Sequence, residues 1–182
     1  MKKNNTEKVF SKKLLSDFSS SLNLDKRLYK EDIDLSIAYS KALKKIHILS
    51  SNEQKKIEGA LKKILKEIKN ENFNWKTDLE DIHMNIESRL HDLVGSFAGK
   101  IHTGKSRNDQ IATIERMFVK NTIIELIEKL GNLQKEIVSK ADNCIDIIMP
   151  SYTHLQRAQP VLLSHHLMAY YEMIQRDKSR LM

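Results

Sequence analysis

Apolar residues recur at helical intervals along most of the chain. Between Leu28 and Ile48, Ile33, Ile37, Ala38 and Leu43 fall close to a 3.6-residue period, and Asp32 and Asp34 sit near the start, where the helix dipole favours acids. That pattern predicts a helix. A second helix is expected to begin after Ser50-Ser51-Asn52, with Ser51 or Asn52 as its cap. It carries the stripe Ile57, Ala60, Leu61, Ile64, Leu65 and Ile68 and ends in the polar residues Asn70 to Asn74. Thr77 or Asp78 opens a third, which bears Leu79, Ile82, Ile86 and Leu90 and stops around Gly95 to Gly99. Its His83 and Glu87, one turn apart, read as a surface charge pair beside Asp81. Upstream, Phe10, Leu14, Leu15 and Phe18 are the expected anchors of a short helix ending near Ser19 to Ser21, preceded by a loose tail.

From Lys100 to Asp109 the period disappears. A proline-free run from Gln110 to about Ala141 follows, with Ile111, Ile114, Phe118, Ile124, Ile127 and Ile137, and it reads as one helix of a bundle. Asp142 to Thr153 is then a connection containing Pro150. Pro160 is expected in the first turn of a last helix, which carries Val161, Leu162, His165, His166, Met168, Ala169 and Met173 and is still running at Met182. The expected fold is all-α. A small N-terminal helical domain, residues 1–110, carries a polar loop and is followed by an incomplete helical-bundle domain, residues 111–182.

Composition agrees with a folded helical chain: 40% of the 182 residues are hydrophobic and 30% charged, with only five Gly and two Pro, which excludes collagen-like, mucin-like and Gly/Ser-linker proteins. The net charge of +7 owes much to Lys41 to Lys69, which holds nine Lys and three Glu. No aromatic residue interrupts that run, so it lacks a base-stacking surface and reads as a solvated helix face; no nucleic-acid partner is expected. Cys144 is the single cysteine, so neither an intrachain disulfide nor a thiolate zinc cluster can form, and a cytoplasmic setting fits. Nowhere do about 18 apolar residues run together, so no membrane partner is expected either.

Two segments concentrate chemistry that a core does not need. In Gly99 to Gln110, the donors Ser106, Arg107, Asn108 and Gln110 gather at the start of the long helix, whose free backbone N–H groups also favour anions. A carboxylate suits that place, with Arg107 able to bind it bidentately and Asn108 able to donate and accept. Gly104-Lys105-Ser106 has the look of a nucleotide-binding loop, but that loop follows a strand and none is expected here. The second segment is Tyr152-Thr153-His154-Leu155-Gln156-Arg157-Ala158-Gln159-Pro160, where His154 is a side chain able to move a proton near neutral pH. His165 and His166 point about 100° apart on a helix and no HExxH occurs, so no metal site is expected.

These segments resemble those of the argininosuccinate lyase family, within the fumarase/aspartase superfamily. The resemblance covers nearly the whole chain. It is carried by Phe18-Ser19-Ser20-Ser21 with Asp25-Lys26-Arg27-Leu28 and Glu31-Asp32-Ile33, then by Glu80-Asp81-Ile82-His83-Met84. The most specific matches are His102-Thr103-Gly104-Lys105-Ser106-Arg107-Asn108-Asp109-Gln110 and Tyr152 to Pro160, continuing to His165-His166.

The resemblance implies elimination of argininosuccinate to arginine and fumarate, without a metal or organic cofactor. It sets Ser21, Arg107, Asn108, Thr153 and Gln156 on substrate and His154 as the catalytic histidine. It also implies a homotetramer whose active site draws on several subunits. The family's Trp-Gly-Gly-Arg-Phe start is not seen before Phe10, and Ile114 stands where the family has an aspartate. The Gly-Ser-Ser-x-Met-Pro-x-Lys-x-Asn loop that carries the family's catalytic serine does not occur. The chain is therefore expected to be the first part of such an enzyme, needing further segments or a complementing chain for activity, with a non-catalytic structural derivative as the competing class.

Overall fold

A computed structural model describes Leu14 and residues 18–182. Phe10, Leu15 and the expected N-terminal tail lie outside the described residues, while Leu14 and Phe18 are exposed. Helical backbone at Phe18 and Ser19 gives way at Ser20 and Ser21. Single turns at Leu22–Asp25 and Lys26–Leu28 lead into α1, Tyr29–Lys45. Then come α2, Ser51–Lys69; α3, Ile82–Val94; and α4, Arg107–Asp142. A hairpin of β1, Ile148–Thr153, and β2, Gln156–Leu162, precedes α5, Leu163–Leu181. Among the described residues the fold is helical with this one small sheet. The chain divides into two compact units, Met1–Phe118 and Val119–Met182.

In the first unit the predicted stripes meet. Ile57, Leu61 and Ile64 of α2 and Ile82, Ile86 and Leu90 of α3 pack with Ile33 and Leu43 of α1, Leu49, Ala98 and Ile101 into one buried cluster. On α1 the sequence pattern is only half right: Ala38 is exposed, and Ser36 and Ser40 are buried in its place. The Ser40 hydroxyl donates to Ile37 O at 2.7 Å and accepts from Gln54 Nε2 at 3.4 Å, which removes the penalty of burying it. Asn85 of α3, also buried, donates to Lys76 O and Asp81 O and accepts from Lys76 N, tying down the segment before α3.

The cap of α2 is Ser50, one residue before the expected ones. Glu53 N donates to the Ser50 hydroxyl and Ser50 N donates to the Glu53 carboxylate, a reciprocal capping box. Lys100 Nζ, 2.7 Å from Glu53, adds the largest effect on that carboxyl, and with the Ser50 bonds holds its pKa at about 2. Glu58, hydrogen-bonded by Lys62 and Gln54 and near Lys41, is likewise lowered to about 2. The third helix is capped by Asp81, whose Oδ1 accepts from Met84 N at 2.7 Å, while Thr77–Leu79 form a separate 3-10 turn.

In the second unit a buried side chain joins two helices. Gln134 of α4, 4% exposed, donates to Tyr171 O and Gln175 Oε1 of α5 and accepts from Lys178 Nζ at 2.8 Å. Pro160, expected in a helix, lies in β2 opposite Pro150; α5 starts only at Leu163, whose N–H donates to Ile147 O. The fixed φ of proline suits an extended edge as well as a first helical turn, and neither proline has an N–H to lose. Ser151 Oγ donates to Gln159 O at 2.7 Å beside the irregularity between Pro150 and Tyr152.

Replacing the fully buried Leu61 by Ala is expected to destabilise the first unit by about 3 kcal/mol, read by denaturant unfolding. Because the carboxyl groups of Glu53 and Glu58 are depressed in the folded chain, their stabilisation is present above about pH 4.5 and is lost as pH falls towards 2. Glu53→Gln should therefore lower the melting temperature at pH 7 more than at pH 2.5, and an equal loss at both would contradict this.

Candidate functional site

The six residues singled out from the sequence fall into two groups, one in each unit. Ser21, Arg107 and Asn108 belong to the first; Thr153, His154 and Gln156 belong to the second. In the first group, Ser21 N and Ser20 Oγ both donate to Glu80 O at 3.0 Å. The Ser21 hydroxyl donates to Asp25 Oδ2 at 2.6 Å. Next along from Glu80, Asp81 turns its second oxygen to Arg107 Nε at 3.6 Å. Ser21 and Arg107 are thus held by consecutive residues at the entrance to α3.

The polar loop before α4 is pinned to α1. Tyr39 OH donates to Thr103 O at 2.7 Å, and Lys105 Nζ lies 5.6 Å from the centre of the Tyr39 ring. Between them Gly104 adopts φ +70°, where a Cβ would be strained. Burial pushes the Lys105 ammonium below the usual lysine range, against the opposing pull of Glu87 and Asp32. Asn108 N donates to Ser106 Oγ, and the Asn108 side chain has no hydrogen-bond partner among the described residues. Spacing alone flatters this loop, because Gly99 to Ser106 reproduces the full Gly-x-x-x-x-Gly-Lys-Ser pattern. The segment before it is a 3-10 helix, Ser96–His102, not a strand, so the phosphate-loop context is missing.

Arg107 faces Gln110 Oε1 at 3.3 Å, Asp81 at 3.6 Å and Glu87 Oε1 at 3.7 Å. Glu87 also has His102 Nε2 at 2.7 Å, although its Oε1 is buried without an aligned donor. The expected surface pair of His83 with Glu87 does not form as such. His83 is 3% exposed and lies 3.0 Å from Asp32 Oδ1, itself 1% exposed, while Glu87 turns towards Arg107 and His102. Gln110, 2% exposed, donates to the same Asp32 oxygen at 2.5 Å. The sequence pattern marks Asp32 only as a helix-start acid and Gln110 only as a loop donor; the signal it holds beyond that is a His and an Asp on the buried faces of their helices.

The second group sits on the hairpin. Thr153 pairs with Gln156, leaving His154 and Leu155 as a two-residue turn with φ of 51° and 60°. Positive φ at both central positions is the type I′ pattern, which asparagine and glycine normally fill. A histidine and a leucine there cost conformational energy, and the turn presents both outward: His154 is exposed and Leu155 is 99% exposed. Thr153 and Gln156 flank the turn, also exposed. Ile114, where the resemblance sets an aspartate, is 1% exposed. Among the described residues no group of three or more His, Cys, Asp or Glu is placed to hold a metal, and no helix is long and apolar enough to cross a membrane.

Comparison with known proteins matches residues 6–182 to a family model described as lyase. The chain is 45% identical over 170 residues to the argininosuccinate lyase of Aquifex aeolicus (strain VF5), covering 93% of this chain and 37% of that protein. It is 48% identical over 167 residues to that of Desulfatibacillum aliphaticivorans, covering 92% and 36%. It therefore spans little more than a third of these curated relatives. Among solved structures, EDDS lyase in complex with formate superposes with a TM-score of 0.74 at 27% identity, over 94% of this chain and 33% of that one. A fumarate lyase:delta crystallin from Brucella melitensis, at 18% identity and a TM-score of 0.71, covers 89% and 42% and shows the shared fold.

The strained turn makes a direct prediction. Leu155→Gly removes one left-handed side chain and should raise the stability of the hairpin unit by about 0.5 kcal/mol, the relief of strain exceeding the added chain entropy. Denaturant unfolding checks it, and a loss of 1 kcal/mol or more would mean that the turn is not under strain.

Proposed function

The chain belongs to the lyase family, and on that premise we propose that it is the N-terminal part of an argininosuccinate lyase, splitting argininosuccinate into arginine and fumarate. The observation that carries this reading is the joint presence of the Ser106-Arg107-Asn108 loop and the Thr153-His154 turn in a chain 45% and 48% identical to enzymes of that name. In the reaction a proton leaves the carbon beside a succinyl carboxylate, the carbon–nitrogen bond breaks, a carbon–carbon double bond forms, and the departing guanidino nitrogen takes up a proton. The step builds an enolate-like dianion that needs donors and a base within reach.

Arg107 and Asn108, at the head of α4, are suited to hold a substrate carboxylate, and Ser21 to hold substrate beside them. The helix start adds its own preference for anions. His154, exposed at a strained turn, is the group we assign to proton transfer, either as the base itself or by polarising a water or a second residue. Thr153 and Gln156 flank it as substrate contacts. The 182 residues hold no Gly-Ser-Ser-x-Met-Pro-x-Lys-x-Asn loop, so catalysis is assigned to an assembly in which further segments complete the site. Exposed apolar residues on α4, among them Val119, Ile124, Leu133 and Val138, suit burial in a helical-bundle oligomer, a homotetramer or a complex with a complementing chain. The cytoplasm is the setting that the single cysteine favours. The buried Ile114 favours the competing reading, a non-catalytic structural derivative.

The purified chain alone is expected to release no arginine or fumarate from argininosuccinate. Mixed or co-expressed with a chain supplying the remaining segments of a relative, it should gain turnover. His154→Ala should then cut that turnover about a thousandfold. A folded complex that shows no turnover would support the structural reading, and turnover unaffected by His154→Ala would overturn the assignment of the histidine.

A further inference from the structure

With Asp32 ionised, the buried network under Arg107 has one consistent arrangement of protons. Asp32 Oδ1 is approached by His83 Nδ1 at 3.0 Å and by Gln110 Nε2 at 2.5 Å. An acceptor nitrogen on His83 would face a carboxylate, so Nδ1 carries the hydrogen and donates. Gln110 Nε2, 3.1 Å from the same ring nitrogen, is then a second donor converging on one oxygen and not a partner of the ring. The amide is oriented at both ends. Turned over, it would set its carbonyl against the Asp32 carboxylate and its NH2 against the Arg107 guanidinium. As it stands, Gln110 Oε1 accepts from Arg107 Nη1 at 3.3 Å.

The three buried residues come from three helices, α1, α3 and α4, and meet one turn inside the head of α4. At Arg107, Nη1 is drawn to Gln110 and Glu87 and Nε to Asp81, on a side chain that is one-third exposed. Two of the three guanidinium nitrogens are thus engaged from the protein side. We infer that Asp32 and His83, acting through Gln110, are positioning residues that fix Arg107 to receive one carboxylate of a dicarboxylate substrate. This deepens the proposed function and rests on it only for the identity of the substrate. The charged groups around Gln110 and Arg107 are Asp32, Asp81, His83, Glu87, His102 and Lys105.

The test is succinate binding to the 182-residue chain, followed together with the Arg107 Nε–Hε signal in nitrogen-15 spectra. Gln110→Met keeps length and bulk but neither donates nor accepts; it should weaken succinate binding about tenfold and collapse the distinct Arg107 signal, with backbone amide spectra retained. Gln110→Glu separates positioning from packing. Once ionised, at the alkaline end of a pH series, it repels Asp32 and should bind about tenfold more weakly than wild type. While protonated, at the acid end, it can donate to Asp32 and accept from Arg107, and affinity should return towards that of the wild type at the same pH. If Gln110→Met does not fold, the two protonation states of Gln110→Glu carry the same comparison.

A folded Gln110→Met with wild-type affinity and an unchanged Arg107 signal would overturn the inference, as would a Gln110→Glu chain that tracks wild type at every pH. A wild-type chain that binds no succinate, but whose Arg107 signal still collapses in Gln110→Met, would support the positioning and count against Arg107 as a carboxylate site of this chain on its own.

Discussion

A carboxylate that is 1% exposed is tolerable only when donors surround it, and the arrangement of the first unit follows from how Asp32 meets that demand. Its partners are a ring nitrogen from α3 and an amide from α4, so three helices must come within hydrogen-bond distance of one oxygen. Apolar packing by Ile33, Ile82 and Ile86 brings α1 and α3 together, but packing alone leaves helices free to slide by fractions of a turn. The polar triad does not. A shift of one ångström would leave a buried acceptor or donor unmatched, at a cost of a few kcal/mol. Register of the head of α4 against α1 and α3 is therefore set by Gln110, and with it the position of the Arg107-Asn108 pair.

The second unit uses the opposite economy. Its exposed hairpin turn is held in a conformation its residues do not favour, and the hairpin is secured by pairing from Ile148 to Thr153 and by the N–H of Leu163 on Ile147 O. Two facing prolines remove ladder donors at its middle, and the Ser151 hydroxyl supplies a substitute bond. The cost at this exposed turn is not offset by any folding contact of His154 among the described residues, which is why a chemical role is proposed for this residue.

The lysine-rich face illustrates how sequence charge and structural charge differ. The three glutamates within that run are all engaged: Glu58 by Lys41 and Lys62, Glu53 by Lys100 and Glu67 by Arg89 through two bonds of 2.9 and 2.8 Å. Two of those partners, Lys100 and Arg89, come from outside the run. Apart from Glu58–Lys62, which lies within α2, these pairs join α2 to its neighbours, each modest in energy because each is exposed to solvent.

Helical periodicity by itself determined α2, α3 and the long α4, because amphipathic repeats leave local signatures, and the two polar segments stood out as clusters of donors without an apolar period. The resemblance of Ser106 to Asn108 and of Thr153 to Gln156 to known motifs was equally legible. The hairpin was not: Pro160 and the short apolar pattern around it suit a helix start as well as an edge strand, and only pairing across the turn decides between them. Nor was the burial of His83, Asp32 and Gln110, 78 residues apart at its extremes. Their hydrogen bonds exist only once three helices have packed, so no local pattern could announce them, and it is the tertiary structure that turned an apparent surface pair into the support beneath Arg107.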